Sequence, residues 1–237
     1  MYETIAEDER FLCIHKDPGV DCHTDNGSSG VIRAVQSAYR IRLFPLHRLD
    51  KVTSGLLLLA KDRETARSMG ELFSAHRIDK FYLALSAKRP RKKQGTVIGD
   101  MRRSRRGTWR LERSRENPAV TQFVSRAWSG GKRAFLLRPQ SGKTHQLRVA
   151  LKSLGAPILG DPLYGPRNHS QDRCYLHAMA VSFELDGERY SFWTPPRHGE
   201  HFLDPDGSEV LAAWSRPEEL AWPRIPGSGQ PSWTAGR

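Results

Sequence analysis

His47-Arg-Leu-Asp-Lys-Val-Thr-Ser-Gly-Leu-Leu-Leu-Leu-Ala-Lys61 passes from a basic, acidic and turn-forming stretch straight into an apolar run, residues 56–60, bounded by Gly55 and Lys61. A continuous run of this length predicts a strand covered on both faces, although periodicity alone leaves a buried helical segment open. A rigid core element holds the loop before it still, and such loops are where a scaffold carries reactive groups. Asp50 stands in that loop as a lone carboxylate.

Outward from this stretch, residues 11–16 predict a strand closed by the turn Asp17-Pro18-Gly19. Ser28 or Ser29 is placed to cap a helix with Val31, Ala34, Val35, Ala38 and Tyr39 on one face, and Asp62 to cap a second presenting Ala66, Met69, Leu72 and Phe73. Phe81, Leu83 and Leu85 alternate with Tyr82, Ala84 and Ser86, so Tyr82 points away from the face carrying those three. Strands are expected at 109–111, 121–127, 133–138, 175–178, 181–185 and 189–193, and a helix at 144–154 with Leu147, Leu151 and Leu154 inward and Gly155 as its stop. Arg148 lies about 100° around that helix from Leu147, near the edge of the buried stripe. Strands that outnumber helices and cluster, rather than alternating with them, argue for an α+β fold with a largely antiparallel sheet.

At 237 residues and 38% hydrophobic content the chain can bury one sizeable core. No apolar run approaches the roughly 18 residues that cross a bilayer, and the acidic N-terminus lacks an apolar signal region, so a cytoplasmic protein without a membrane role is expected. Cys13, Cys22 and Cys174 are too few for a disulfide framework. Cys13, His15, Cys22 and His23 are conceivable zinc ligands, but strand alternation and a loop of small polar residues account for them, and no metal is expected. A net charge of +12 and a pI near 10.0 make a polyanion the first partner to consider. Nine Lys and Arg residues stand between positions 88 and 106 against Asp100 alone, punctuated by glycines, which reads as a projecting hairpin or arm able to track phosphates. From about residue 204 the chain turns proline-rich; 204–237 is expected to be a partly disordered extension of a domain over 1–203, with a brief helix at 209–214 and Trp214, Trp222 and Trp233 available to pack it back.

The run from His47 resembles the signature of the RluA-type pseudouridine synthase family. Three more segments agree in the same order: Phe11-Leu-Cys-Ile-His-Lys-Asp-Pro-Gly19, then Lys80-Phe-Tyr-Leu-Ala84, then a longer match. That last comprises Ser141-Gly-Lys-Thr-His-Gln-Leu-Arg-Val149, Gly155-Ala-Pro-Ile-Leu-Gly-Asp-Pro-Leu-Tyr-Gly165 and Leu176-His-Ala178. The resemblance implies a single catalytic domain, a bent mixed sheet with flanking helices and a central cleft, acting on ribosomal or transfer RNA as a monomer. Many relatives carry an additional N-terminal RNA-binding module, for which little chain precedes the first motif here.

By that resemblance Asp50 is the catalytic carboxylate that converts uridine to pseudouridine, either by attacking the ribose or by abstracting a sugar proton. Neither redox change nor an external energy source is involved, so no cofactor is expected. On its residues alone Asp50 reads first as an ordinary cap or turn former, and otherwise as a metal ligand short of partners; as a nucleophile or base it needs a cation nearby, for which Arg148 is the candidate. Arg48 would fill the vacancy left by a flipped nucleotide, and Tyr82 would stack on the uracil, worth about 1–3 kcal/mol, with its hydroxyl near the C5 proton. Leu176 and His177 are expected to line the uracil pocket. His47, Lys143, His145 and Gln146 are expected to contact substrate or organise the cleft.

Two departures stand out: Lys143 replaces the usual arginine and loses its planar fork, and Ala150 replaces a common histidine. One rival reading is a non-catalytic RNA chaperone or ribosome-assembly factor on the same fold, against which the retention of Asp50, Tyr82 and Arg148 weighs. Another is a nuclease, which would want paired carboxylates for a metal or two facing histidines, and neither constellation stands out.

Overall fold

A computed structural model describes residues 1–23, 30–166 and 170–226. The elements run β1 (Tyr2–Glu7), β2 (Phe11–Lys16), α1 (Val31–Tyr39), β3 (Phe44–Pro45), β4 (Ser54–Ala60), α2 (Arg63–Ser74), β5 (Asp79–Ser86), β6 (Gln94–Gly99), β7 (Met101–Arg103) and β8 (Trp109–Leu111). The second half adds β9 (Ala119–Ala127), β10 (Arg133–Pro139), α3 (Gln146–Ser153), β11 (Leu176–Leu185), β12 (Glu188–Trp193) and α4 (Ser208–Ala213).

The leucine run is the strand β4, and every residue of it is buried. Alternation assigns its two faces. Leu57 and Leu59 join Leu12 and Ile14 of β2 under α1, while Leu56 and Leu58 join Phe11 and Cys13 over α2. Asp62 caps α2 as its position predicts, accepting from Thr65 N at 2.8 Å.

A ten-stranded sheet has the order β1-β2-β4-β11-β5-β10-β9-β6, with β12 also on β11 and β3 on β4. The fold is α+β with a mixed, mostly antiparallel sheet: β4 and β11 pair in parallel, through His177 with Ser54 and Ala178 with Gly55. Gly55 permits this crossing. Its φ is +112°, and a Cβ there would lie 2.1 Å from the carbonyl oxygen of Ala178. A register break between Ala178 and Ala180 lets β11 serve β4 at one end and β12 at the other while it pairs with β5. The largest core cluster forms on the β5, β10 and β9 side under α3, and Tyr82 packs against both this cluster and the one under α1. Tyr82 therefore sits on the seam between the two halves of the sheet.

Several expectations need revision. Residues 88–106 are not one projecting arm: β6 is an edge strand of the main sheet paired with β9, and the two-stranded ribbon is β7 with β8. The two strands expected within 175–185 are one, and β1 pairs with β2 although no strand was expected there. The helix α3 begins at Gln146, because His145 takes a left-handed conformation with φ of 57°. Arg148 is not at the edge of a buried stripe; α3 is wrapped from Gln146 to Leu151, and Arg148 is 3% exposed. Beyond residue 204, Trp214 is buried in the main cluster and Trp222 lies 5.7 Å from the Phe81 ring. The N-cap of α1 is Gly30, without a side-chain cap bond, in place of the expected Ser28 or Ser29; those two serines, Trp233 and residues 227–237 fall outside the described residues.

Candidate active site

The loop from residue 48 to 53 reaches the sheet where β4, β11 and β5 meet. Its backbone is fixed from several sides. Thr53 N donates to Asp50 O at 2.9 Å, closing a tight turn. Leu49 N donates to the sulfur of Cys22 at 3.3 Å, and that thiol lies 3.2 Å from Leu49 O. Lys51 O accepts from Gly19 N at 2.8 Å and, at 3.4 Å, from the Nζ of Lys16. Lys16 is fully buried, and its ammonium also donates to Asp17 O and Val20 O. Burial lowers its pKa to about 8, so the ammonium remains the main form at neutral pH.

Across the cleft, Arg148 Nη1 donates to Asp50 Oδ2 at 3.1 Å. Its other edge grips Asp161 through Nε and Nη2, each at 2.8 Å, in the planar fork that arginine alone supplies. The Asp161 side chain is wholly buried, whereas that of Asp50 is 21% exposed. Asp161 accepts two further bonds, from the backbone N–H groups of Leu163 and Tyr164. Burial works against the Arg148 charge, but the fork to Asp161 and the field of Asp50 outweigh it and hold its pKa above the ordinary value. The cation thus has one carboxylate to anchor it and a second, half-open carboxylate to present.

The cleft encloses about 630 Å³ of empty space, part of it open to solvent, and Arg48, Asp50, Tyr82, Lys143, His145, Gln146, Arg148 and Leu176 all line it. Burial, and then the Asp50 charge, raise the Tyr82 phenol pKa, so its proton stays on at neutral pH. Arg48 is exposed at the mouth. Gln146 is buried with its amide fully engaged, accepting from Ser141 Oγ and Lys143 N and donating to Val120 O and Thr121 Oγ1. It braces the 141–145 loop from beneath. Lys143 donates to Asn117 Oδ1 at 2.8 Å, at the rim.

Two expected substrate contacts lie elsewhere. His47 turns from the cleft to accept from Leu58 N at 3.0 Å and packs on Phe73. Burial and the nearby Lys80 push its pKa down to about 3, so it is a neutral acceptor bracing β4. His177 is fully buried, because alternation along β11 sends it to the face opposite Leu176. A chain runs from Arg173 Nη2 through Ser54 Oγ and the His177 ring to Thr194 O, with steps of 2.7, 2.9 and 3.0 Å.

Asp161 and Tyr164 belong to the site without having been singled out. The available signal was a carboxylate enclosed by Ile158, Leu159, Gly160 and Pro162, a place where an acid is buried only with a partner. Among the described residues no three or more His, Cys, Asp or Glu side chains are grouped to hold a metal ion, and no helix is long and apolar enough to cross a membrane.

Residues 10–153 match the family described as RNA pseudouridylate synthase. A Haemophilus influenzae protein named "Uncharacterized RNA pseudouridine synthase" is 45% identical over 213 residues, covering 90% of this chain and 95% of that one. "Ribosomal large subunit pseudouridine synthase D" of Borreliella burgdorferi is 33% identical over 202 residues, covering 79% of this chain and 62% of that one. Among solved structures, "Human RNA Pseudouridylate Synthase Domain Containing 1" superimposes with a TM-score of 0.72 at 26% identity, covering 90% of this chain and 94% of that one. The chain belongs to the RNA pseudouridylate synthase family, in its RluA-type branch, whose members are isomerases acting on RNA.

Proposed function

We propose that the chain isomerises uridine to pseudouridine in a structured ribosomal or transfer RNA, with Asp50 as the reacting carboxylate. The observation that carries this reading is the Asp50 carboxylate, open to the cleft yet bonded to an arginine whose far edge is locked on a buried acid. Arg148 offsets the desolvation that a bound nucleotide imposes on the carboxylate and holds Asp50 aimed into the cleft. A uridine inside a helix cannot reach it, so the nucleotide must leave the stack, and the exposed Arg48 at the mouth is placed to occupy the gap. The Tyr82 ring supplies a stacking wall for the detached uracil, and Leu176 closes the apolar side. The name of the Borreliella relative refers to the large ribosomal subunit, which favours ribosomal RNA as the first substrate to test.

The test is tritium release from C5-labelled uridine in ribosomal and transfer RNA, comparing the wild type with Asp50→Asn. Release by the wild type and none by the variant is expected. Tight RNA binding with no release by either protein would instead identify a non-catalytic RNA-binding protein.

A further inference from the structure

Tyr164 is 4% exposed and touches Arg148, Asp161 and His145. Its ring lies 5.1 Å from the Arg148 guanidinium carbon, its backbone N donates to Asp161, and its hydroxyl lies 2.9 Å from Nδ1 of His145. The same hydroxyl accepts from Trp109 N at 2.7 Å, which ties the β7–β8 ribbon to this point. A phenol has one proton. With the oxygen accepting from Trp109, donation of that proton to Nδ1 uses the hydroxyl both ways and leaves the imidazole's own proton on Nε2. Nε2 is 3.9 Å from Asp50 Oδ2, too long for a direct bond but within reach of a ribose hydroxyl lying against the carboxylate.

Resting on the reading of Asp50 as the reacting group, we propose that Tyr164 is a positioning residue: its hydroxyl fixes His145 as the tautomer whose Nε2–H faces Asp50, and pins the ribbon to the same point. The groups around His145 make this setting necessary. Burial lowers the His145 pKa; Arg148 from the helix it precedes and Arg48 from the 48–53 loop also oppose a charge there, while Asp50 and Asp161 favour one, and the net effect is a neutral ring. A neutral ring has two tautomers, and only one presents a donor to the cleft. His145 is also held with φ of 57°, a conformation uncommon for a residue with a side chain, so its direction is maintained against backbone preference. Trp109 lies on the strand that follows Arg102, Arg103, Arg105 and Arg106, so the basic ribbon is joined by one hydrogen bond to the oxygen that sets His145.

Tyr164→Phe keeps the ring over Arg148 and removes the oxygen alone. In 15N spectra the wild-type His145 should show a protonated Nε2 and a bare Nδ1, and the variant a mixture with a higher pKa, since the bond that favours the neutral ring is gone. A charged His145 competes with Arg148 for Asp50. The variant should therefore lose about tenfold in single-turnover tritium release, with the acid limb of its pH profile moved to higher pH and its RNA affinity within about twofold of wild type. A wild-type His145 protonated on Nδ1, or a variant with unchanged rate and pH profile, overturns the assignment. The tautomer measurement on the wild type needs neither turnover nor the variant, so it decides the inference even if tritium release refutes the proposed activity or Tyr164→Phe does not fold.

Discussion

One guanidinium divided between two acids governs the cleft, and the acids are unequal. Asp161 is sealed and receives the arginine fork together with two backbone N–H groups; Asp50 takes the remaining Nη1. Asp161→Asn removes the charge that anchors Arg148 and leaves a buried cation facing a single half-open carboxylate. It should cost about 3–5 kcal/mol of stability, measured by urea unfolding. Arg148→Lys keeps the cation but cannot make a fork to Asp161 and also reach Asp50. Tritium release should fall by about a hundredfold, as a displacement of about 1 Å commonly costs, with RNA affinity changed far less. Equal losses in affinity and rate would show that Arg148 acts on binding instead of on Asp50.

At the scale of elements, the basic segment divides into parts with different duties. β6 completes the sheet against β9 and places Val97 in the core, so removing residues 88–106 would damage the fold itself. The ribbon of β7 and β8 is the separable part. Arg102 and Arg103 on β7, with Arg105 and Arg106 in its turn, are exposed, and β8 leans on α3 behind the cleft. Replacing these four arginines by alanine should weaken RNA binding and lower the slope of log affinity against log salt by up to about 3.6, near 0.7–0.9 for each phosphate no longer neutralised. Circular dichroism should be unchanged. An unaltered slope in filter-binding titrations would remove the ribbon from the RNA surface.

Across the whole molecule, buried neutral histidines set an acid limit on the fold. His15 is 1% exposed and His177 fully buried, their rings 5.5 Å apart, and His15 Nε2 has no hydrogen-bond partner among the described residues. Burial pushes their pKa values down to about 4 and about 3, against about 6.5 in an unfolded chain. Below about pH 6.5 the unfolded state takes up protons that the native state refuses. Stability is then lost as pH falls toward 4, by up to about 1.4 kcal/mol per pH unit for each ring. Urea midpoints measured from pH 7 to pH 4 should drop over this window, and His15→Phe should flatten the drop. A profile unchanged by that substitution would remove His15 from the groups responsible.

The chain alone determined the elements whose period and flanks agree. The run after Gly55 became a doubly covered strand, Asp62 a cap, and 11–16 a strand, because local pattern and tertiary burial ask the same thing of those residues. Asp50, Tyr82 and Arg148 were legible by resemblance as a set, with Arg148 as the cation expected beside Asp50; the route by which separate elements bring them together, the crossing of β4 and β11, was not. Tertiary structure also decided that His47 and His177 brace strands, that Asp161 anchors Arg148, and that Tyr164 joins ribbon to cleft. These depend on which face a strand turns inward and which distant segment lies against it, and a histidine or buried acid has no periodic signature that reveals its partner.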